Sequence, residues 1–290
     1  MKRSRIRSIL LYVAAALLLI WALSPIVWVV ISSISTRIDL YAAPYKHWIP
    51  AHPTLDNYKA IFTSGGQYLS ASGSIPSGST LIAGVRNSLI TSVCAAAIIT
   101  VLSTLAAYAF ARIRFTGRRI LFLAIMLLLP LPIWVSLIRL YFVIADLNLL
   151  DTNLGMILVF VAYGLPLYIW IMETYLRATP KEIEDAAFID GCSRLTALWR
   201  VIVPVALPGL AAVFLTSLLT TWNAFIIPLI FSNSEASQTL PVVLSLYIGQ
   251  YSVAWEAMAA AAVVTLLPPM VLALFFQRYL VRGLSFGAVQ

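Results

Sequence analysis

Groups able to do chemistry are scarce in this 290-residue chain, which has 11 Asp and Glu, 19 Lys and Arg, two His and two Cys. Four of the 11 acids, Glu182, Glu184, Asp185 and Asp190, crowd into nine residues. No Ser/His/Asp constellation or metal-ligating cluster accompanies them, and His47 and His52 lie in a distant polar loop, where they serve loop packing. A G-x-x-x-x-G-K-[ST] phosphate loop is absent, so the chain carries no nucleotide chemistry of its own. Cys94 sits in an apolar run and Cys192 in a polar loop, with neither metal spacing nor a disulfide geometry between them. The four acids therefore offer the chemistry of a contact rather than of a reaction.

Their setting predicts a short helix. Thr179 is placed to cap it, Pro180 to occupy its first position, and Glu182 follows Thr179 by three residues. Acid in the first turn faces the positive end of the helix dipole. Ile183, Ala186, Ala187 and Asp190 share one small-residue face, and Gly191 suits the left-handed residue that ends a helix. Leu195, Leu198 and Val201 or Ile202 begin a second amphipathic stretch before Pro204. On physics alone this segment is either a linker packed on helix ends or a rigid knob fitted to a partner.

The elements that must position it are membrane spans. Hydrophobic residues make up 61% of the chain and charged ones 10%, with a mean hydropathy of +0.95. That leaves too few charges to coat a soluble surface and far too much hydrophobicity for disorder. Gly and Pro spread along the chain, without ten-residue alternation, favour helices over a barrel. The predicted fold is an all-α integral membrane protein with six transmembrane helices: Ile9–Ile34, Ser88–Ala111, Ile120–Val143, Leu154–Leu176, Val205–Phe231 and Met258–Val281. Residues 1–8 and 282–290 are short end segments, and residues 179–204 connect spans four and five. Prolines interrupt several spans, among them Pro25, Pro130, Pro132, Pro166, Pro268 and Pro269.

Fourteen of the 19 basic residues then fall on one side, so the positive-inside rule puts both termini in the cytoplasm. The net charge of +8 reflects this bias rather than a nucleic-acid stripe, because the basic residues come in short groups between apolar runs. The basic, apolar start is too long for a signal peptide and is expected to stay as span one. Outside, Ser35–Asn87 contains a Gly/Ser-rich piece, Ser64–Ser79, expected to be flexible. The segment Ser232–Glu256 is either plain loop or a surface for an external partner.

Asp185-Ala186-Ala187, then Gly191, Val201 and Val203-Pro204 resemble the E-A-A-x3-G-x9-I-x-L-P motif of ABC importer permeases, with Asp185 for the usual Glu and Glu184 beside it. Asn87-Ser88, the run Ala106–Arg112 with Phe115 and Gly117, and Trp222-Asn223-Ala224-Phe225 are similar to the carbohydrate-uptake branch. The ending from Gln277 to Val289 resembles the maltose-type "G" permease, although the chain stops at Gln290 without that family's usual Lys-Gly.

The resemblance implies a non-catalytic transport subunit that lies in a bacterial or archaeal cell membrane and forms half of a translocation path. Its implied partners are a second, different permease, an ATPase dimer and an extracytoplasmic solute-binding protein. It would hold no cofactor, since ATP and Mg belong to the ATPase. By carry-over from the motif, Glu184, Asp185, Ala186, Ala187, Asp190 and Gly191 form a cytoplasmic coupling helix. Gly287, Ala288, Val289 and Gln290 reach the ATPase, and Gly249, Gln250 and Tyr251 enter the binding protein as a scoop. Trp222 and Asn223 either line the path or pack spans together. The substrate expected is a di- or oligosaccharide of maltose or trehalose type. An ion-coupled secondary transporter is the alternative, and the lack of a mid-span charge speaks against it.

Overall fold

The computed structural model describes residues 2–41, 48–63, 69–70, 73–74, 76–248 and 253–285. In chain order the helices are α1 (Lys2–Ser33), α2 (Arg37–Tyr41), α3 (Asp56–Thr63), α4 (Gly78–Arg112), α5 (Arg118–Met126), α6 (Ile133–Asp146) and α7 (Asn153–Ala178). Then come α8 (Glu182–Ile189), α9 (Arg194–Ala197), a π-helical turn (Leu198–Ile202), α10 (Val203–Val205), α11 (Leu207–Trp222), α12 (Ile226–Phe231), α13 (Leu240–Ser245) and α14 (Trp255–Ser285). Between α3 and α4, β1 (Leu69–Ser70) pairs antiparallel with β2 (Gly73–Ser74), so the Gly/Ser-rich piece expected to be flexible holds a small hairpin.

Among the described residues, four helical stretches are long and apolar enough to cross a membrane: Ser8–Ser33, Gly78–Arg112, Asn153–Ala178 and Trp255–Leu272. Arg194–Val205 and Leu207–Trp222 form a pair bent by 76°, a fifth crossing if counted as one span. The third expected span is instead two pieces, α5 and α6, separated at Leu127–Pro132, because Pro130 and Pro132 lack the N–H groups that would carry the helix through. The fifth is also broken. Pro204 and Pro208 flank the bend at Ala206, and α11 stops at Trp222 before α12 resumes. By contrast α14 includes Pro268 and Pro269 without a break in its helical assignment.

The chain divides into two compact units. In the first, Met1–Ile82 with Val243–Leu267, the apolar window of α1 is wholly unburied within the chain. Its end is clipped by the α3 region: Asn57 Nδ2 donates to the Ser33 and Ser35 carbonyls at 2.9 Å each, and Ser33 Oγ meets Tyr58 Oη at 2.8 Å. Trp28, Tyr41, Trp255 and Met258 help wall a cavity of about 410 Å³.

The second unit, Ala83–Val242 with Pro268–Gln290, has α7 at its centre. Met156, Phe160, Tyr168, Met172 and Leu176 of this helix are buried, joined in one core by Ile99, Ala107 and Tyr108 of α4 and Val213 of α11. Association of apolar helices in lipid rests on close packing, since lipid is as apolar as leucine. Gly209 of α11 supplies such an approach, as a Cβ there would lie 2.8 Å from the Tyr175 ring.

Candidate functional site

The EAA-type residues lie on α8 and the turn after it. Thr179 does not cap α8, as its spacing suggested: α7 runs on to Ala178 and takes Thr179 as its own C-cap, the hydroxyl donating to the Tyr175 carbonyl. Lys181 precedes α8 with no side-chain cap, and Glu182, Glu184 and Asp185 on the first turn lie at the positive end of the helix dipole.

The other end matches expectation. Gly191 has φ +82°, its N–H donates to the Phe188 carbonyl, and the Cys192 N–H reaches back to Ala187. These two bonds are a Schellman closure, which needs a left-handed residue and hence favours glycine. Ser193 then caps α9, accepting from the Thr196 N–H at 3.3 Å. Ahead of Pro204 the helix widens into its π-helical turn, an adjustment common where proline breaks the hydrogen-bond ladder.

The expected shared face of Ile183, Ala186, Ala187 and Asp190 is split. Ala187 and Glu184 turn inward, while Asp185, Ala186, Ile189 (86% exposed) and Asp190 turn outward. Glu184 is 2% exposed. Tyr108 Oη donates to its Oε1 at 2.5 Å, and Arg112 Nε stands 3.4 Å from its Oε2. Arg112 Nη2 also donates to the carbonyls of Leu176, at 2.9 Å, and Thr179, at 2.7 Å. One buried guanidinium thus ties the end of α4, the end of α7 and the start of α8. Tyr108 and Arg112 were legible only as part of the Ala106–Arg112 resemblance, since nothing local links them to a residue more than 70 positions on.

A second polar cluster lies at the start of α7. Asp151, in a left-handed conformation (φ 56°), accepts from the Asn233 N–H (2.9 Å), the Ser234 N–H (3.0 Å) and hydroxyl (2.6 Å), and the Ser237 hydroxyl (2.5 Å). Burial alone would raise its pKa, but these donors outweigh it and hold the carboxyl at about 2. Asn87 Nδ2 donates to the Glu235 and Gln238 carbonyls, and Ser88 Oγ accepts from the Leu240 N–H at 2.8 Å. Sequence spacing held no sign of Asp151, because its donors lie 82–86 residues away.

Trp222 is buried at the end of α11, and Asn223, its C-cap, is exposed and donates to the Leu219 carbonyl. Gly249, Gln250 and Tyr251 lie outside the described residues, as do Gly287, Ala288, Val289 and Gln290. Ile248 and Val253, on either side of the first three in sequence, pair in an isolated antiparallel bridge. Tyr247 beside it is buried, which pushes its hydroxyl up to about 12, and that oxygen has no hydrogen-bond partner among the described residues. Among those residues no group of His, Cys, Asp and Glu could hold a metal.

Residues 99–286, which include α8 and the Arg112 cluster, match the family described as the inner membrane component of binding-protein-dependent transport systems. The chain belongs to this family. The permease is 31% identical to the sulfoquinovosyl glycerol transport system permease of Agrobacterium fabrum, covering 96% of this chain and 93% of the relative. It is 30% identical to the trehalose/maltose transport system permease of Thermococcus litoralis, over 100% and 99%, and 34% identical to the trehalose transport system permease of Mycobacterium tuberculosis, over 93% of each. Its fold is similar to a chain of a bacterial ABC transporter that imports alginate, with a TM-score of 0.77 at 22% identity, over 97% and 98% of the two chains. The permease is therefore a multi-pass membrane subunit of the carbohydrate-uptake kind, as the family resemblance anticipated.

Proposed function

We propose that this permease forms half of the translocation path of an ATP-driven importer for a di- or oligosaccharide of maltose or trehalose type. A second, different permease completes the path, a separate ATPase dimer supplies ATP hydrolysis, and an external binding protein delivers the sugar. In this reading the membrane is crossed six times, with α5–α6 and the bent α9–α12 region as broken spans and both termini in the cytoplasm.

The observation that carries the reading is the build of α8. The EAA-type residues form a short helix anchored inward by Glu184, stopped at a set angle by Gly191, and showing Asp185, Ala186 and Ile189 on its outer side. Small side chains allow close approach, and an exposed isoleucine wants a cover. Nucleotide-driven closure of an ATPase cleft around this knob would rock the attached helices between two packed arrangements. The names of relatives that match nearly the whole chain support sugar as the cargo.

A tagged chain purified from its own membranes should bring down a phosphate-loop ATPase and a second permease. The reconstituted complex should accumulate labelled maltose or trehalose only with ATP inside and the binding protein outside. Isolation as an active lone subunit would refute the proposal.

A further inference from the structure

Glu184 stands directly beside the EAA-type motif, yet its carboxylate is turned inward and is spent inside the chain. We infer that Arg112, Glu184 and Tyr108 are a positioning triad, which makes α8 and the ends of α4 and α7 move as one body. The inference rests on the proposed coupling to an ATPase. It assigns Glu184 an internal role and leaves the ATPase contact to Asp185 and its exposed neighbours.

Three observations carry it. First, the charges are enclosed, with the Arg112 side chain 7% and the Glu184 side chain 2% exposed. A buried charge pair is a poor source of stability against an apolar pair of equal size, but losing one partner is costly. Its presence is therefore better explained by what it holds in register than by what it adds to folding. Second, the guanidinium is shared. Nη2 takes the carbonyls of Leu176 and Thr179 at the end of α7 while Nε faces the carboxylate on α8, so moving α8 away from α7 either parts the ion pair or breaks a bond to the α7 end. Third, the pair is not fully closed. Arg112 Nε and Glu184 Oε2 are both buried without a hydrogen-bond partner among the described residues, 3.4 Å apart. A small movement of α8 would close this gap into a full hydrogen bond, whereas Tyr108 already holds the other oxygen at 2.5 Å.

The test measures a distance within the permease while it sits in its complete complex. Spin labels go on native Cys192, just after α8, and on Cys in place of exposed Tyr163 on α7, with Cys94 replaced by Ala. Distances are read without nucleotide and with ATP and vanadate. The parent should give one narrow distance in both conditions. Arg112→Met/Glu184→Met, which swaps the buried charges for apolar side chains, should still capture the ATPase. Its second distance population should nonetheless grow about tenfold on adding nucleotide. Tyr108→Phe removes one hydrogen bond and no charge, and should give a smaller increase that Arg112→Lys exceeds.

One narrow, nucleotide-independent distance in the double variant overturns the inference, and so does the same result in both milder variants should the double variant not assemble. Loss of ATPase capture by Glu184→Gln at an unchanged distance also overturns it, since Glu184 would then be a direct contact. Failure of the unmodified complex to contain an ATPase would instead sink the coupling proposal itself, so the two failures read differently.

Discussion

The two ends of α7 are fastened by different chemistry. At its end, one buried guanidinium faces one buried carboxylate, so full opposite charges meet where water is excluded. At its start, Asp151 gathers amide and hydroxyl donors from residues 233–237 with no cation among them, and Asn87 adds neutral bonds to the same loop. Removing either partner of the first clamp strands a buried charge. Removing one donor of the second leaves an anion that others still solvate. The first arrangement suits a joint that must carry movement without slack, and the second suits a loop that must stay folded.

The sharpest way to break the contrast is Arg112→Ala. It leaves Glu184 buried without its cation, for an expected loss of about 3–5 kcal/mol and a melting temperature roughly 10 °C lower in detergent. Gly191→Pro should rank close behind. Proline cannot reach φ +82° and removes the N–H that closes on Phe188, so the complex should assemble poorly or hydrolyse ATP without sugar uptake. Normal uptake by that variant would show that the turn angle is immaterial.

Asp151→Asn should cost less, on the order of 2 kcal/mol, because charge-assisted bonds weaken while their donors find other acceptors. Its pH dependence has a definite sign. Asp151 is held near 2, below the usual carboxylate value of about 3.9, so its stabilisation is full above that value. It fades as pH falls from about 4 through 2, so thermal melts of parent and variant should differ by a constant gap at pH 5–8 that narrows below pH 4. A loss equal to that of Arg112→Ala would erase the distinction between the two clamps.

Gly191→Ala should cost about 1–2 kcal/mol from the left-handed backbone alone, since nothing lies within 4 Å of the added Cβ. The smallest effect on stability belongs to Asp185→Asn. This side chain is half exposed and paired with Lys181 across the surface, so its melting temperature should hold within error while capture of the ATPase drops.

Much of the outline was legible in the linear order. Periods of about 20 apolar residues announced the spanning helices, and the Gly191 spacing announced the Schellman turn, because both depend on neighbours within one or two turns. Legibility failed where a local signal had a competitor. Thr179 and Pro180 read as the start of α8, but α7 claimed the threonine as its end. Pro130 and Pro132 read as interruptions of a single span, yet they separate α5 from α6, and Pro204, read as the opening of span five, stands beside a bend between α10 and α11.

Membrane class, the bias of basic residues, the EAA-type spacing and the glycine turn follow from composition and short-range pattern, so the sequence by itself determined them. Which acid at that motif faces outward was decided only in three dimensions. Glu184 and Asp185 are adjacent and chemically alike, and the helix repeat of about 100° per residue turns one toward Arg112 and the other toward solvent. That choice depends on a cation 72 positions earlier, and burial selects it because an enclosed carboxylate needs its partner within a few ångströms.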